Sequence, residues 1–136
     1  MPLLLDTCAA IWIVDDAKLA QPGVDALKAS RDAAEPILVS PITALEVGRL
    51  MATGRLASSL TPRAWFKTLL SGPRMRLAEM PPEVLIDASY LPGKPPNDPI
   101  DRILLATARD QTLTLLTRDR EILGYAEAGH VLAVRC

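Results

Sequence analysis

The segment NDPIDRILLATA, residues 97–108, constrains the fold of this chain more than any other. From residue 100 to 108 its side chains are apolar nearly all round, which predicts a helix that neighbouring elements cover on more than one side. Its first turn nevertheless carries Asp98 and Asp101, and Asp119 follows the next apolar run. Because burial of an unpaired carboxylate is costly, these acids require a cap, a cation or a metal ion.

Two of these acids also have a purely structural explanation. Asp98 can be the N-cap of the helix, Pro99 suits the first helical position, and Asp101 falls third, as in a capping box. This segment alone does not choose between a helix cap and a functional site.

Short apolar runs that alternate with amphipathic segments predict the rest of the fold. Strands are expected at residues 2–5, 36–39, 75–80, 113–117 and 130–135. Helices are expected at residues 7–14, 22–34, 41–53, 62–70, 82–91, 99–108 and 118–124. Such alternation favours a three-layer α/β/α sandwich with a mostly parallel central sheet, formed by residues 1–136 as a single domain.

The composition excludes several classes of protein. No apolar run has the length of a membrane span, and the first residues lack the basic region of a signal peptide, so we expect a soluble, cytoplasmic protein. Two cysteines, Cys8 and Cys136, provide neither a disulfide framework nor the spacing of a zinc site. A ribonuclease mechanism with two histidines is impossible, because His130 is the single histidine.

Four carboxylates stand at positions that predict a shared site. Asp6 follows the first strand, Asp119 follows a later one, and Asp101 opens the buried helix. Glu46 lies on the same helical stripe as two apolar residues four positions away on either side, although pairing with Arg49 on the surface is an alternative. A parallel sheet brings its carboxyl strand ends to one edge, where ligands collect.

The chemistry of these four side chains favours a hard cation. Convergent carboxylates cannot all stay ionised without positive charge between them. All are oxygen ligands, which selects Mg²⁺ or Mn²⁺ over zinc. Such an ion, held by carboxylates and water, is suited to hydrolysis of phosphate esters.

Four segments in order resemble PIN-domain ribonucleases, and specifically the VapC-type toxins of bacterial toxin–antitoxin pairs. The segments are LLDTCAAIW (residues 4–12), SPITALEV (40–47), DPIDRILLA (98–106) and LLTRD (115–119). The resemblance implies that Asp6, Glu46, Asp101 and Asp119 are catalytic and bind the metal, with Asp98 as an auxiliary ligand. Thr7 and Thr117 would support them through their hydroxyl groups.

The resemblance also implies an activity and partners. It implies a metal-dependent endoribonuclease that a cognate, VapB-like antitoxin holds inactive, and a homodimer. The chain departs from the family at Cys8, where histidine is common, at Ile100, where an aromatic residue is common, and at Thr107, where glutamine is frequent. Because each carboxylate remains, substrate preference is more in question than catalysis. The alternatives are a catalytically silent scaffold that binds RNA or protein, and a phosphatase or nuclease acting on DNA.

The chain has a net charge of only -1, but its middle section is basic. Between Glu46 and Glu79 there is no acid, whereas six basic side chains lie there. They are predicted to bind the phosphate backbone of RNA at the rim of the site, or alternatively only to keep outer helix faces solvated. These residues are Arg49, Arg55, Arg63, Lys67, Arg74 and Arg76.

Overall fold

The computed structural model describes residues 2–136, in which strands and helices alternate. The strands are β1 (Leu3–Leu5), β2 (Ile37–Val39), β3 (Met75–Leu77), β4 (Thr114–Thr117) and β5 (Leu132–Arg135). The helices are α1 (Thr7–Val14), α2 (Gln21–Asp32), α3 (Pro41–Ala52), α4 (Pro62–Leu70), α5 (Pro82–Asp87), α6 (Pro99–Gln111) and α7 (Arg120–Glu127).

The strands form one sheet in the order β3-β2-β1-β4-β5, and every pairing within residues 2–136 is parallel. The predicted mostly parallel sheet is therefore confirmed. β1 lies in the centre and is fully buried, which explains its uninterrupted leucine run. The chain continues to β2 on one side of β1 and returns to β4 on the other. Such a change of direction leaves a crevice at the carboxyl ends of the strands.

Helices cover both faces of the sheet, which confirms the three-layer fold. Leu3 and Leu5 face a hydrophobic cluster that includes Trp65 from α4. Leu4 points to the opposite face and packs in a second cluster with Leu104 from α6. This division follows from the two-residue period of a strand.

Some element boundaries differ from the prediction. The third strand ends at Leu77 rather than at residue 80, and α5 ends at Asp87 rather than at residue 91. α7 begins at Arg120 instead of residue 118, because Asp119 keeps an extended backbone (φ -68°, ψ 124°) as its N-cap. α6 continues three residues beyond the predicted end, and Thr112 then stops it in the left-handed conformation (φ 53°).

Within residues 2–136, no helix combines the length and apolar character needed to cross a membrane.

Candidate active site

The ends of the two central strands place Asp6 directly beside Thr117. Leu5 of β1 pairs with Leu116 of β4, and the next main-chain nitrogen, that of Asp6, donates to the carbonyl oxygen of Leu116 at 3.1 Å. The Thr117 hydroxyl then donates to Oδ2 of Asp6 at 2.5 Å. Both side chains are buried. The register between β1 and β4 places them next to each other and therefore fixes this contact.

The Asp6 carboxylate is also the N-cap of α1. Its Oδ1 accepts a hydrogen bond of 2.7 Å from the main-chain nitrogen of Ala9. Burial raises the pKa of Asp6 above its ordinary value; the hydrogen bonds from Thr117 and Ala9 oppose this shift, and the nearby charges of Asp119 and Glu46 add to it. Asp6 is therefore held in a fixed orientation inside a group of like charges.

Asp98 and Asp101 lie together at the start of α6. Oδ1 of Asp98 accepts from the main-chain nitrogens of Ile100, at 2.9 Å, and Asp101, at 3.0 Å, so the predicted N-cap is present. The pKa of Asp101 is raised to about 7, chiefly by desolvation on burial. The negative charge of Asp98 contributes next, followed by Asp119, Glu46 and Asp6. Asp98 therefore both caps the helix and raises the pKa of the carboxyl group beside it.

The five acids predicted from the sequence line one cleft of about 420 Å³. We call it the acidic cleft; Glu46 reaches it from α3, and Asp119 reaches it as the N-cap of α7. The remaining lining combines hydroxyl, thiol, apolar and cationic side chains. Its lining residues are Asp6, Thr7, Cys8, Trp12, Glu46, Asp98, Asp101, Leu104, Arg118 and Asp119.

The donor set of the acidic cleft fits a hard divalent cation by its chemistry. Five carboxyl groups line it, and carboxylate oxygens are the ligands that Mg²⁺ and Mn²⁺ prefer. In residues 2–136, however, no three His, Cys, Asp or Glu side chains already stand in an arrangement that could hold a metal ion. An ion held by these carboxylates would therefore require them to move closer together.

The two threonines that were predicted to support the acids occupy different positions. Thr117 contacts Asp6 directly and also accepts a hydrogen bond of 3.0 Å from the main-chain nitrogen of Asp119. One hydroxyl therefore connects two acids of the cleft. Thr7 lines the cleft, but its hydroxyl pairs with that of Thr43 on α3, at 3.3 Å. Thr7 thereby ties α1 to the helix that carries Glu46.

The six basic residues of the middle section are exposed, and none of them lines the acidic cleft. Arg74 immediately precedes β3, and its guanidinium lies 3.5 Å from the carbonyl oxygen of Ala34, ahead of β2. Arg74 is therefore at the amino edge of the sheet, whereas the acidic cleft is at the carboxyl edge. This position differs from the rim position expected for Arg74, because the sequence does not show at which edge a basic residue emerges. RNA binding by the six residues stays a prediction.

Arg118 lines the acidic cleft and was not among the residues predicted from the sequence. Its guanidinium carbon lies 3.8 Å from the ring centroid of Trp12, which also lines the cleft. A sequence signal for Arg118 existed, since it stands between Thr117 and Asp119 in a segment already identified as functional. Arg118 lies outside the basic middle section, and its immediate neighbours are neutral and acidic.

The PIN domain family profile matches residues 3–128. This chain belongs to the PIN domain family. The four segments identified in the sequence all lie within the matched region, and the predicted membership is confirmed.

Individual relatives are similar to this chain over most of its length. Ribonuclease VapC22 of Mycobacterium tuberculosis (strain ATCC 25618 / H37Rv) is 27% identical over 121 residues, which are 88% of each chain. A chain in the crystal structure of VapBC2 from Rickettsia felis, bound to a DNA fragment from their promoter, superposes with a TM-score of 0.69 at 13% identity. That match covers 99% of this chain and 98% of the other.

A second solved structure supports the same fold. A chain in the DNA-bound VapBC structure from Salmonella typhimurium superposes with a TM-score of 0.65 at 15% identity. The match covers 99% of this chain and 98% of the other. At these identities the structural similarities establish the fold.

Proposed function

We propose that this PIN-domain protein is a VapC-type toxin: a metal-dependent endoribonuclease that hydrolyses RNA phosphodiester bonds and is inhibited by a cognate, VapB-like antitoxin. The observation that carries the proposal is the acidic cleft, in which five carboxyl groups from three helix starts and one helix face lie at the carboxyl edge of the sheet. The similarity to a mycobacterial ribonuclease of the VapC type supports the choice of RNA as substrate.

Four of the carboxylates would hold Mg²⁺ or Mn²⁺: Asp6, Glu46, Asp101 and Asp119. The bound ion would polarise the attacked phosphate and make a coordinated water more acidic. Asp98 would be an auxiliary ligand. Its Oδ1 caps α6 by accepting two main-chain hydrogen bonds, as Oδ1 of Asp119 caps α7. The Thr117 hydroxyl donates to Oδ2 of Asp6 and the Ala9 amide donates to Oδ1, and together they fix the orientation of this carboxylate.

The protonation of the cleft couples metal binding to pH. Because the pKa of Asp101 is about 7 and that of Asp6 is also raised, the metal-free cleft retains protons near neutral pH. A cation must displace these protons when it binds to the carboxylates. Metal affinity should therefore increase with pH across the neutral range.

Cleavage of RNA by the purified protein tests the proposal directly. We expect endonucleolytic products in Mg²⁺ or Mn²⁺, no cleavage in excess EDTA, and loss of activity in Asp101→Asn. Asp110→Asn is the matched control, because Asp110 is an exposed residue on the same helix that does not line the acidic cleft. Cleavage that persists in EDTA would exclude the metal mechanism, and cleavage of DNA alone would favour a DNA nuclease.

Thermal melts separate the enzyme from a silent scaffold. A ligand that binds only the folded state stabilises it by about 2.7 kcal/mol when its concentration is a hundred times its Kd. Mg²⁺ or Mn²⁺ should therefore raise the Tm of the wild type, and should raise the Tm of Asp6→Asn by less. RNA binding without a metal response and without cleavage would support the scaffold alternative.

The partners are tested in cells and in solution. Expression of the chain alone should arrest growth of its host, and co-expression of its VapB-like antitoxin should restore growth. We propose a homodimer in the cytoplasm, which light scattering of the purified protein and cell fractionation would examine. Harmless expression of a folded protein that cleaves RNA in vitro would contradict the toxin assignment while leaving the nuclease intact.

A further inference from the structure

We infer that Arg118 binds a phosphate group of the RNA substrate at the acidic cleft, held in position by Trp12. This inference rests on the proposed ribonuclease function and adds a substrate-binding residue to it. Among the residues of 2–136 that line the cleft, five are acidic and Arg118 alone is basic. A phosphodiester approaching this cleft meets repulsion that a bound divalent cation offsets only in part.

Arg118 is positioned by two contacts that leave most of its donors available. Its guanidinium carbon lies over the Trp12 ring, 3.8 Å from the centroid, in a cation–π contact that needs no hydrogen-bond acceptor. One N–H, on Nη2, donates to the main-chain oxygen of Cys136 at 2.8 Å. Arginine has five N–H donors, and in the described residues 2–136 no second acceptor is hydrogen-bonded to this guanidinium.

The main chain ties both members of this pair to the acids. Trp12 belongs to α1, which Asp6 caps, so one helix carries a cleft acid and the aromatic support. Arg118 stands between Thr117, which donates to Asp6, and Asp119, which caps α7. The guanidinium therefore has a fixed place relative to the carboxylates, unlike a basic side chain on a separate surface.

A phosphate group is the ligand that this geometry favours. A guanidinium is planar and presents its free N–H groups in one plane, and that planar fork matches the oxygens of a phosphate. The exposed side chain lies at the cleft, where the RNA backbone must pass if a cation between the acids is to reach a phosphodiester. The six basic residues of the middle section are absent from the cleft lining.

Steady-state cleavage of a short single-stranded RNA at several salt concentrations tests the inference. In Arg118→Gln we expect KM to rise roughly tenfold, as for loss of a charged hydrogen bond, with little change in kcat. The slope of log KM against log salt should fall by about 0.7, the value for one phosphate contact of a single strand. Arg118→Lys should recover part of the affinity, and Trp12→Leu should give an intermediate KM because the guanidinium loses its support.

Arg120→Gln is the matched control. Arg120 is the next basic residue along the chain, is exposed, and does not line the cleft, so its removal changes the net charge equally and should leave KM unchanged. The inference is overturned if Arg118→Gln behaves like Arg120→Gln, or if Arg118→Gln and Arg118→Lys lose kcat equally with the same fall in Tm, which would indicate a packing role. Absence of RNA cleavage by the wild type would instead refute the proposed function.

Discussion

Thr117 donates a hydrogen bond of 2.5 Å to Asp6, a residue 111 positions earlier in the chain. The same hydroxyl accepts from the main-chain nitrogen of Asp119, so a single buried side chain connects two acids of the cleft. This hydrogen bond lowers the pKa of Asp6, against the larger effect of burial. Thr117 therefore controls both the orientation and the protonation of the most buried carboxylate in the cleft.

Replacement of Thr117 by valine should weaken metal binding while keeping the shape of the side chain. Loss of a hydrogen-bond partner behind a metal ligand typically reduces metal affinity or activity roughly ten- to hundredfold. Because the pKa of Asp6 would rise further, the pH profile of cleavage should shift to higher pH. Metal titrations and pH–rate profiles measure both effects.

Thr107→Val is the control for that substitution. Thr107 is equally buried, but its hydroxyl donates to the carbonyl oxygen of Ile103 within α6, away from the cleft. Its replacement should leave metal affinity and the pH profile unchanged. If the two variants behave alike, the contact between Thr117 and Asp6 has no functional role.

The metal-free protein should become less stable as the pH rises from about 4 to about 7. The pKa of Asp101 is about 7 in the folded chain, against an ordinary value of 3.8, so the folded state binds more protons than the unfolded state between these values. The free energy of unfolding therefore decreases with pH in this window. Asp101→Asn should raise the Tm at neutral pH by a few degrees and flatten the pH dependence.

Melting curves in EDTA between pH 4 and pH 8 measure this effect, with Asp110→Asn as the control on the same helix. Asp101→Asn with the same pH dependence as the wild type would show that Asp101 ionises normally in the folded chain. Saturating Mg²⁺ should reverse the trend in the wild type, because the cation favours the ionised carboxylates.

Two substitutions of Asp98 separate its capping role from its charge. Asp98→Ala removes the acceptor for the amides of Ile100 and Asp101 and should lower the free energy of unfolding by about 1 kcal/mol. Asp98→Ser retains an N-cap oxygen and should keep most of the stability. It should also keep RNA cleavage within a few-fold of the wild type, and lower the pKa of Asp101 by removing a neighbouring charge. A stable but inactive Asp98→Ser protein would show that Asp98 is a metal ligand.

Arg74→Gln should leave RNA cleavage almost unchanged. Arg74 lies at the amino edge of the sheet beside Ala34, on the side opposite the acidic cleft. Its KM and salt dependence should remain within about twofold of the wild-type values, because surface substitutions away from a site have small effects. If the salt dependence of KM in Arg74→Gln fell as strongly as in Arg118→Gln, the RNA would have to extend to the amino edge of the sheet.

The local features of this protein were predictable because neighbouring residues determine them. Asp98 and Pro99 start α6 through a side-chain cap and a restricted backbone, and each can be identified from residues within one turn. The leucines of β1 predicted a central strand because a strand buried on both faces excludes polar residues. Three acids of the candidate site could be identified in the same way, since Asp6 follows an apolar run, Glu46 lies on an apolar stripe and Asp101 opens a mostly apolar helix.

Tertiary structure alone decided which of these residues meet. The order β3-β2-β1-β4-β5 brings Asp6 beside Thr117, and it depends on how the helices pack on the two faces rather than on any local period. The same packing places Arg118 over Trp12 and leaves Arg74 at the far edge of the sheet. The sequence by itself determined the helices, the strands and the carboxylates. The packing of distant apolar faces determined the neighbours of each carboxylate and the charge that faces it.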